Sequence, residues 1–480
     1  MGETSVGLAN VPWSRIYGDN KATCNTQYSN TNPVQTSCIY LQDLFGTPNY
    51  LWNQMGCLID TDGTLYLTLA DHECYIAAIN PNKTPKWIRQ VEGSYDEWWW
   101  SGLALDDTGR LYIGGNRGIF FCLDKTTGEI LWSFTVPPGP PGDEYPDSYI
   151  WSVPVVTPDN TVIFASWQLY CFYPNGVQKW TRMLDYYMYE KQIGLGDNGL
   201  VYAAPWPDDD TPAHIYAVNA SDGTVVHTWT DPDGPKHYYD EALDRCPPVI
   251  TTSGLVLVSV PHGGTSPYPD RGRGRIWCFN PDLTPRWDID LYPIGYWCHP
   301  LGAVGLSPDE QTYYMFDWGG LNFSFDIPTG NINWVIDRYN WLEFKDLTSN
   351  GLPRHVEAPI AIDPNGNLYL PFYGDRADGT DTFWLAVMRP NGTLIKVVEL
   401  INEFGGSSNN LFSGPSIAPN GDIHLFDEYG FWYMLGSGSA LKYWTGTEWK
   451  TAKRLLEWDG VQWVEKHGKY WDGTEWKQFI

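Results

Sequence analysis

The sequence predicts an all-β chain, a ring of eight four-stranded units followed by a small β-hairpin module, and three observations in its 480 residues carry that prediction. A turn-centred motif recurs eight times through the first 435 residues. A second hairpin, closed in most cases by a Trp, follows those turns at a nearly fixed distance. No helical periodicity competes with either pattern, so the apolar residues alternate as strands do.

Taken in chain order, the turn motif reads IDTDGTLYL from 59, LDDTGRLYI from 105, VTPDNTVIF from 156 and LGDNGLVYA from 195. It continues as ITTSGLVLV from 250, LSPDEQTYY from 306, IDPNGNLYL from 362 and IAPNGDIHL from 417. Each is an apolar strand end, a tight Asp/Asn/Gly turn and an alternating strand, which is a hairpin signal. The second element ends at Trp87, Trp132, Trp180, Trp229, Trp287 and Trp334, and a Trp-less version, AVMRPNGTLIK, completes seven. Two hairpins in series make a four-stranded unit, and radial repetition of such units removes exposed sheet edges. The architecture expected is therefore an eight-bladed β-propeller over 1–435, with seven blades as the alternative. The eighth unit stops at FWYML (431–435) without an outer strand, so an N-terminal strand is expected to complete it, with Trp13 to Tyr17 closing the ring.

The closing tryptophans are expected to pack between blades, and Cys122, Cys171 and Cys278 to serve as small core residues on inner positions. Cys24 and Cys38 are a candidate disulfide in a polar stretch. The turns Asp60-Thr-Asp62-Gly63 and Asp363-Pro-Asn365-Gly366 have a calcium-loop look. No carboxylate follows in the register such a loop needs, so they read as Asx-type hairpin turns.

Composition excludes several classes. Thirty Lys and Arg against 57 Asp and Glu give a net charge of −27, which disfavours nucleic acid and anionic lipid as partners. No apolar run is long enough to span a membrane, and the start MGETSVGLANVPW lacks the pattern of a signal peptide. Nine cysteines with no CxxC offer neither a zinc ribbon nor a redox motif, and no HExxH, GxSxG or phosphate loop is present. No metal and no cofactor is expected.

The blade motif resembles that of the quinoprotein-like (pyrroloquinoline-quinone-type) β-propellers: a small residue, then Asp or Asn, then Thr-Gly, then Trp. Cys122-Leu-Asp124-Lys-Thr-Thr127-Gly128-Glu-Ile-Leu-Trp132 and Ser324-Phe-Asp326-Ile-Pro-Thr329-Gly330-Asn-Ile-Asn-Trp334 match it in full. The resemblance covers roughly residues 10–435 and implies the fold. Enzymes of that family hold a quinone and Ca²⁺ on the propeller axis with a Glu/Asn/Asp set, and an alcohol-oxidising group adds two adjacent cysteines. This chain has no Cys-Cys pair, and the expectation is a non-enzyme, with a quinone-dependent dehydrogenase as a remaining alternative.

Segments leading into the innermost strands line one mouth of a propeller channel, and here they are rich in aromatics. The candidate ligand-binding residues are Trp52, Asp96, Glu97, Trp98, Trp100, Trp151, Trp297, His299, His355 and Glu357. Flat aromatic faces beside carboxylates suit sugar rings, and an apolar concavity with a few polar groups is a general ligand site. The other reading is that these rings plug the channel.

After Leu435 the composition changes. GSGSA (436–440) reads as a flexible linker, and residues 441–480 carry seven Lys and Arg against six Asp and Glu, with six of the 26 Trp. Three W-x-G-x-x-W units, Trp444 to Trp449, Trp458 to Trp463 and Trp471 to Trp476, read as hairpins forming an attachment or oligomerisation interface. These repeats are similar to short Trp-rich repeats at the ends of tailed-bacteriophage virion proteins. The function expected is a non-enzymatic virion surface protein, of tail, fibre or head-decoration type. Its propeller would recognise a host glycan or surface receptor, and its tail would bind other virion proteins or a second copy. The alternative is a secreted or periplasmic propeller scaffold for protein–protein interaction, similar to the outer-membrane-assembly lipoprotein of this fold.

Overall fold

The first of the expected hairpin pairs is present as four antiparallel strands, Cys57–Ile59, Leu65–Ala70, Cys74–Ile79 and Pro85–Val91, and the same four-stranded sheet recurs around a ring of eight. The computed structural model describes residues 19, 21–46, 56–70, 74–91, 101–115, 117–139, 149–150, 152–184, 193–205, 212–232, 247–261, 274–291, 300–317, 321–337, 354–355, 359–375, 381–401, 413–427, 429–437 and six short strands between 442 and 478. Inner strands of blades 2 to 8 begin at Ala104, Val155, Ile193, Val249, Pro300, Ala361 and Ser416. Blade 7 carries an extra short strand, Arg354–His355, paired with Tyr373 and Phe372. Among the described residues the one helix is Leu41–Phe45, and no helix is long and apolar enough to cross a membrane.

The turns behave as Asx hairpins. Asp60 N–H donates to the Thr64 carbonyl at 2.9 Å and Gly63 N–H to the Asp60 carbonyl at 3.0 Å. The carboxylate is used locally as well: Tyr66, Tyr112 and Tyr369 each donate a phenolic hydrogen bond to the Asp six residues earlier, at 3.2, 2.9 and 3.1 Å. A buried phenol needs an acceptor and a buried carboxylate needs donors, so one pair satisfies both.

Packing between blades is the work of the tryptophans. Each third strand has a register shift, and the residue opposite the Trp is small: Ala78 faces Trp87, Cys122 faces Trp132, Cys171 faces Trp180, Cys278 faces Trp287 and Ser324 faces Trp334. Burial pushes the Cys171 and Cys278 thiols up to about 12 and Cys122 higher still, so these side chains act as small apolar fillers and not as thiolates. Each indole reaches the next blade. Nε1–H donates from Trp87 to the Lys125 carbonyl, from Trp132 to Pro174, from Trp180 to Ala220 and from Trp287 to Ile327, at 3.1, 2.9, 3.0 and 2.7 Å. Under the rings lie glycines of the next turn; a Cβ added to Gly128 would stand 2.6 Å from Trp87, and one on Gly223 would stand 2.7 Å from Trp180. Blade 4 differs in register only. His227 pairs with Ala217 at the docking position, and Trp229, two residues further on, packs between blades as expected, against Trp277 and Phe279 of blade 5 with ring centroids 4.8 and 5.0 Å away.

The ring closes with residues 33–40, not 13–17. Pro33–Tyr40 is the outer strand of blade 8, paired with Phe431–Ser437 from Pro33 opposite Ser437 to Tyr40 opposite Phe431. Residues 13–17 lie outside the described residues. The blade 8 strand runs through Gly436 and Ser437, so the first two residues of the expected linker pair with Val34 and Pro33. No disulfide joins Cys24 to Cys38: Cys24 is buried within an apolar cluster with Ala22, Tyr314 and Ile362, and Cys38 lies opposite Tyr433 on the closing strand.

Candidate functional site

Asp19 and residues 21–30 run from blade to blade along the end of the channel where the inner strands finish. The last residues of three successive inner strands donate their amides to this strap: Ile250 N–H to the Lys21 carbonyl at 2.9 Å, Leu306 N–H to Thr23 at 3.0 Å and Ile362 N–H to Cys24 at 2.9 Å. Lys21 Nζ bonds Asp197 of blade 4 and Thr252 of blade 5, both at 3.0 Å, and Asn30 Nδ2 donates to the Gly421 carbonyl of blade 8 at 2.9 Å.

Two non-glycine residues of the strap, Ala22 (φ 57°) and Cys24 (φ 58°), are left-handed. That alternation turns successive N–H groups to one side, where Asp19 Oδ1 accepts from Lys21 and Thr23 at 3.0 and 3.1 Å. Strain of this kind persists only where surrounding contacts hold it. Here Gly305 makes room: a Cβ there would meet the Thr23 carbonyl at 3.1 Å and Cys24 Cβ at 3.3 Å. Sequence reasoning missed the strap, because a polar run with one candidate disulfide carries no strand pattern.

The opposite mouth is where the inner strands begin. Of the sequence-predicted site, Trp52, Asp96, Glu97, Trp98, Trp100, Trp151, Trp297, His299 and Glu357 lie outside the described residues, and His355 is described only as backbone in its short strand. What the structure does give is the anchoring of their neighbours. Ser152, after Trp151, is fully buried, accepts the Ala165 N–H at 2.7 Å and donates to the Ala165 carbonyl at 3.0 Å. Ser413, after Phe412, accepts the Phe426 N–H at 2.6 Å in the same place in blade 8. Ser101, after Trp100, donates to the Ser152 carbonyl at 2.8 Å and so ties blade 2 to blade 3. Three aromatic–Ser steps are thus fixed at their serine.

A calcium-and-quinone centre finds no donor set among the described residues. The Asp363 carboxylate is filled by the amides of Asn365 and Asn367, the Asn367 side chain, Tyr369 and Ser29. No three His, Cys, Asp or Glu side chains come together among the described residues.

The C-terminal units are three separate two-stranded sheets, with Trp444 opposite Trp449, Trp458 opposite Trp463 and Trp471 opposite Trp476.

No family model matches the sequence, and no curated protein matches it. Solved structures do match in fold. BamB from Moraxella catarrhalis aligns with a TM-score of 0.53 at 15% identity, over 84% of this chain and 99% of its own. The quinohemoprotein alcohol dehydrogenase from Comamonas testosteroni aligns with a TM-score of 0.58 at 12% identity, over 92% and 82%. The quinohemoprotein alcohol dehydrogenase ADHIIG from Pseudomonas putida HK5 gives 0.55 at 10%, over 91% and 81%. At these identities the likeness is one of fold alone. The chain is an eight-bladed β-propeller of the quinoprotein-like fold, with a Trp-hairpin tail.

Proposed function

We propose that this chain is a non-enzymatic recognition protein of a bacteriophage virion surface, its propeller a head for a host glycan or surface receptor and its tail the attachment module. The observation that carries the reading is the separation of the two parts. The ring closes through Pro33–Tyr40 and Phe431–Ser437, and the hairpins follow it as sheets of their own. A strap along one channel end leaves the aromatic-rich mouth as the face for a ligand, with Trp98, Trp100 and Trp151 as its first candidates. The similarity of the tail repeats to those of tailed-phage virion proteins supports the virion placement. Mass spectrometry of purified particles tests it directly, and absence of the polypeptide from virions of its source would end it. Trp100→Ala with Trp151→Ala should abolish the strongest signals on a glycan array while the melting curve stays unchanged; stacking platforms contribute roughly 1–3 kcal/mol per aromatic when the stacked partner is a base, used here as a scale. A protein-binding scaffold is the second reading, favoured by the fold match along 99% of the BamB chain.

A further inference from the structure

The Trp of the docking register is replaced in two of blades 1 to 7. In blade 4 His227 stands there and Trp229 still packs on the next blade, whereas in blade 7 the position is held by Lys396, opposite Val387. Blade 8 offers no receiving hairpin turn either, because its outer strand arrives from the N-terminus. What remains at this seam is a groove of about 480 Å³, lined among others by Pro33, Val34, Thr36, Lys396, Val397 and Ile401. Ile401 is half exposed and is held by Gln35, whose side-chain amide accepts the Ile401 N–H at 2.8 Å and donates to its carbonyl at 2.6 Å.

The chain leaves the ring at this same seam. Ser437, the last residue of blade 8, stands opposite Pro33. The first tail hairpin opens at Lys442, five Cα steps later and so within about 20 Å. A two-stranded hairpin is marginal by itself in water and gains by covering its apolar face. Tethering by so short a segment gives it an effective concentration on the order of millimolar at the groove.

We propose that the seam groove is the docking site for the first tail hairpin of the same chain, whose Trp444/Trp449 pair supplies the indole that blade 7 lacks. The first hairpin is then a clasp over the ring closure, and Trp458 to Trp463 and Trp471 to Trp476 remain for an external partner. This docking rests on ring and tail alone, so a glycan array without a ligand leaves it standing.

The test is limited tryptic cleavage of the full-length protein at Lys442 and Lys450, which lie in the two paired strands of the first hairpin, so that cutting requires it to open. Lys396→Trp fills the groove from within and should expose the hairpin, speeding cleavage about tenfold, while the ring melts no lower than wild type. Trp444→Ala with Trp449→Ala should speed it comparably. All three substitutions together should cleave no faster than the faster parent, because each removes one side of a single contact. If Lys396→Trp does not fold, Val34→Glu at the groove wall carries the same comparison. Equal cleavage in wild type and groove variant overturns the docking, as do increases that multiply. Protection that grows with protein concentration assigns the hairpin to a second copy and overturns it too.

Discussion

Trp334 donates its indole N–H to the carbonyl of Pro390, 56 residues further along the chain and 2.9 Å away, a bond that crosses from blade 6 to blade 7. The same bond recurs at Trp87, Trp132, Trp180 and Trp287, each above the turn of the following blade. The indole satisfies its donor and covers apolar area in one contact.

Gly128 separates the packing contribution from backbone strain. Gly128→Ala would place a methyl 2.6 Å from Trp87 at φ 70°, whereas Gly199→Ala, at φ 75°, meets nothing within 4 Å. Left-handed strain costs both variants about 1–2 kcal/mol, and overpacking adds about 1–3 kcal/mol to the first. Thermal melts of the two should differ by about 1–3 °C for a ring of this size, and equal melting points would mean the Trp does not hold the blades.

His424 predicts an acid-side loss of stability. It is buried in blade 8, its Nδ1 accepts the Trp432 Nε1–H at 3.1 Å, and burial, with repulsion from Lys83, lowers its imidazole to about 3. The unfolded chain titrates near 6.5, so between about pH 6.5 and 3 the unfolded state binds the extra proton. The stability is complete above 6.5 and declines as pH falls toward 3, by on the order of a few kcal/mol. His424→Gln keeps an acceptor without the titration and should flatten that part of a denaturant-midpoint profile.

Asp60 predicts a further step below the first. Burial raises its carboxyl, but the Lys125 ammonium at 2.7 Å, with the Thr61 amide and the Tyr66 hydroxyl, outweighs burial and leaves it below the ordinary 3.8. Its stabilisation is present above about pH 4 and lost as the carboxylate protonates below that. Lys125→Met should cost about 1–3 kcal/mol at neutral pH by removing the ion partner of a buried carboxylate. It should also shrink the acid step; an undiminished step would assign it elsewhere.

The two ends of the chain should respond differently to removal. Deleting 441–480 leaves the ring its eight sheets, with a melting transition still cooperative, whereas deleting 1–40 removes both the strap and the outer strand of blade 8. Circular dichroism melts of the two truncations should show one folded ring and one without a cooperative transition. Gly305→Val is a milder version, since it drives a side chain into Thr23 and Cys24.

The sequence announced the ring because its unit is local. Turn residues such as Asp60, Gly109 and Gly366 and the Trp positions two hairpins apart obey short-range rules. The closing strand escaped detection because PVQTSCIY is a rim strand with intermediate burial from Val34 to Tyr40, so its side chains need no alternation to pair. Trp229 is out of the docking register for a reason the sequence does carry: Trp132, Trp180 and Trp334 each stand four residues after their turn glycine, whereas His227 stands four after Gly223 and Trp229 six. At the mouth, three aromatic–Ser steps are readable in the sequence, but that Ser101, Ser152 and Ser413 are fixed points follows only from their hydrogen bonds.

The pairing of Pro33 with Ser437 has a consequence for the order of assembly. Within blades 1 to 7 the ladders join residues close in sequence and form at small loop entropy, while the clasp of blade 8 and the strap must await the opposite end of the chain. The ring should therefore collapse first as an open arc with a bare rim strand at its end, and close in a slower, single step. During that interval the exposed edge of Phe431–Ser437 is open to the Pro33–Tyr40 segment of a neighbouring molecule, so refolding at high concentration should yield domain-swapped chains, and refolding at high dilution should yield closed rings.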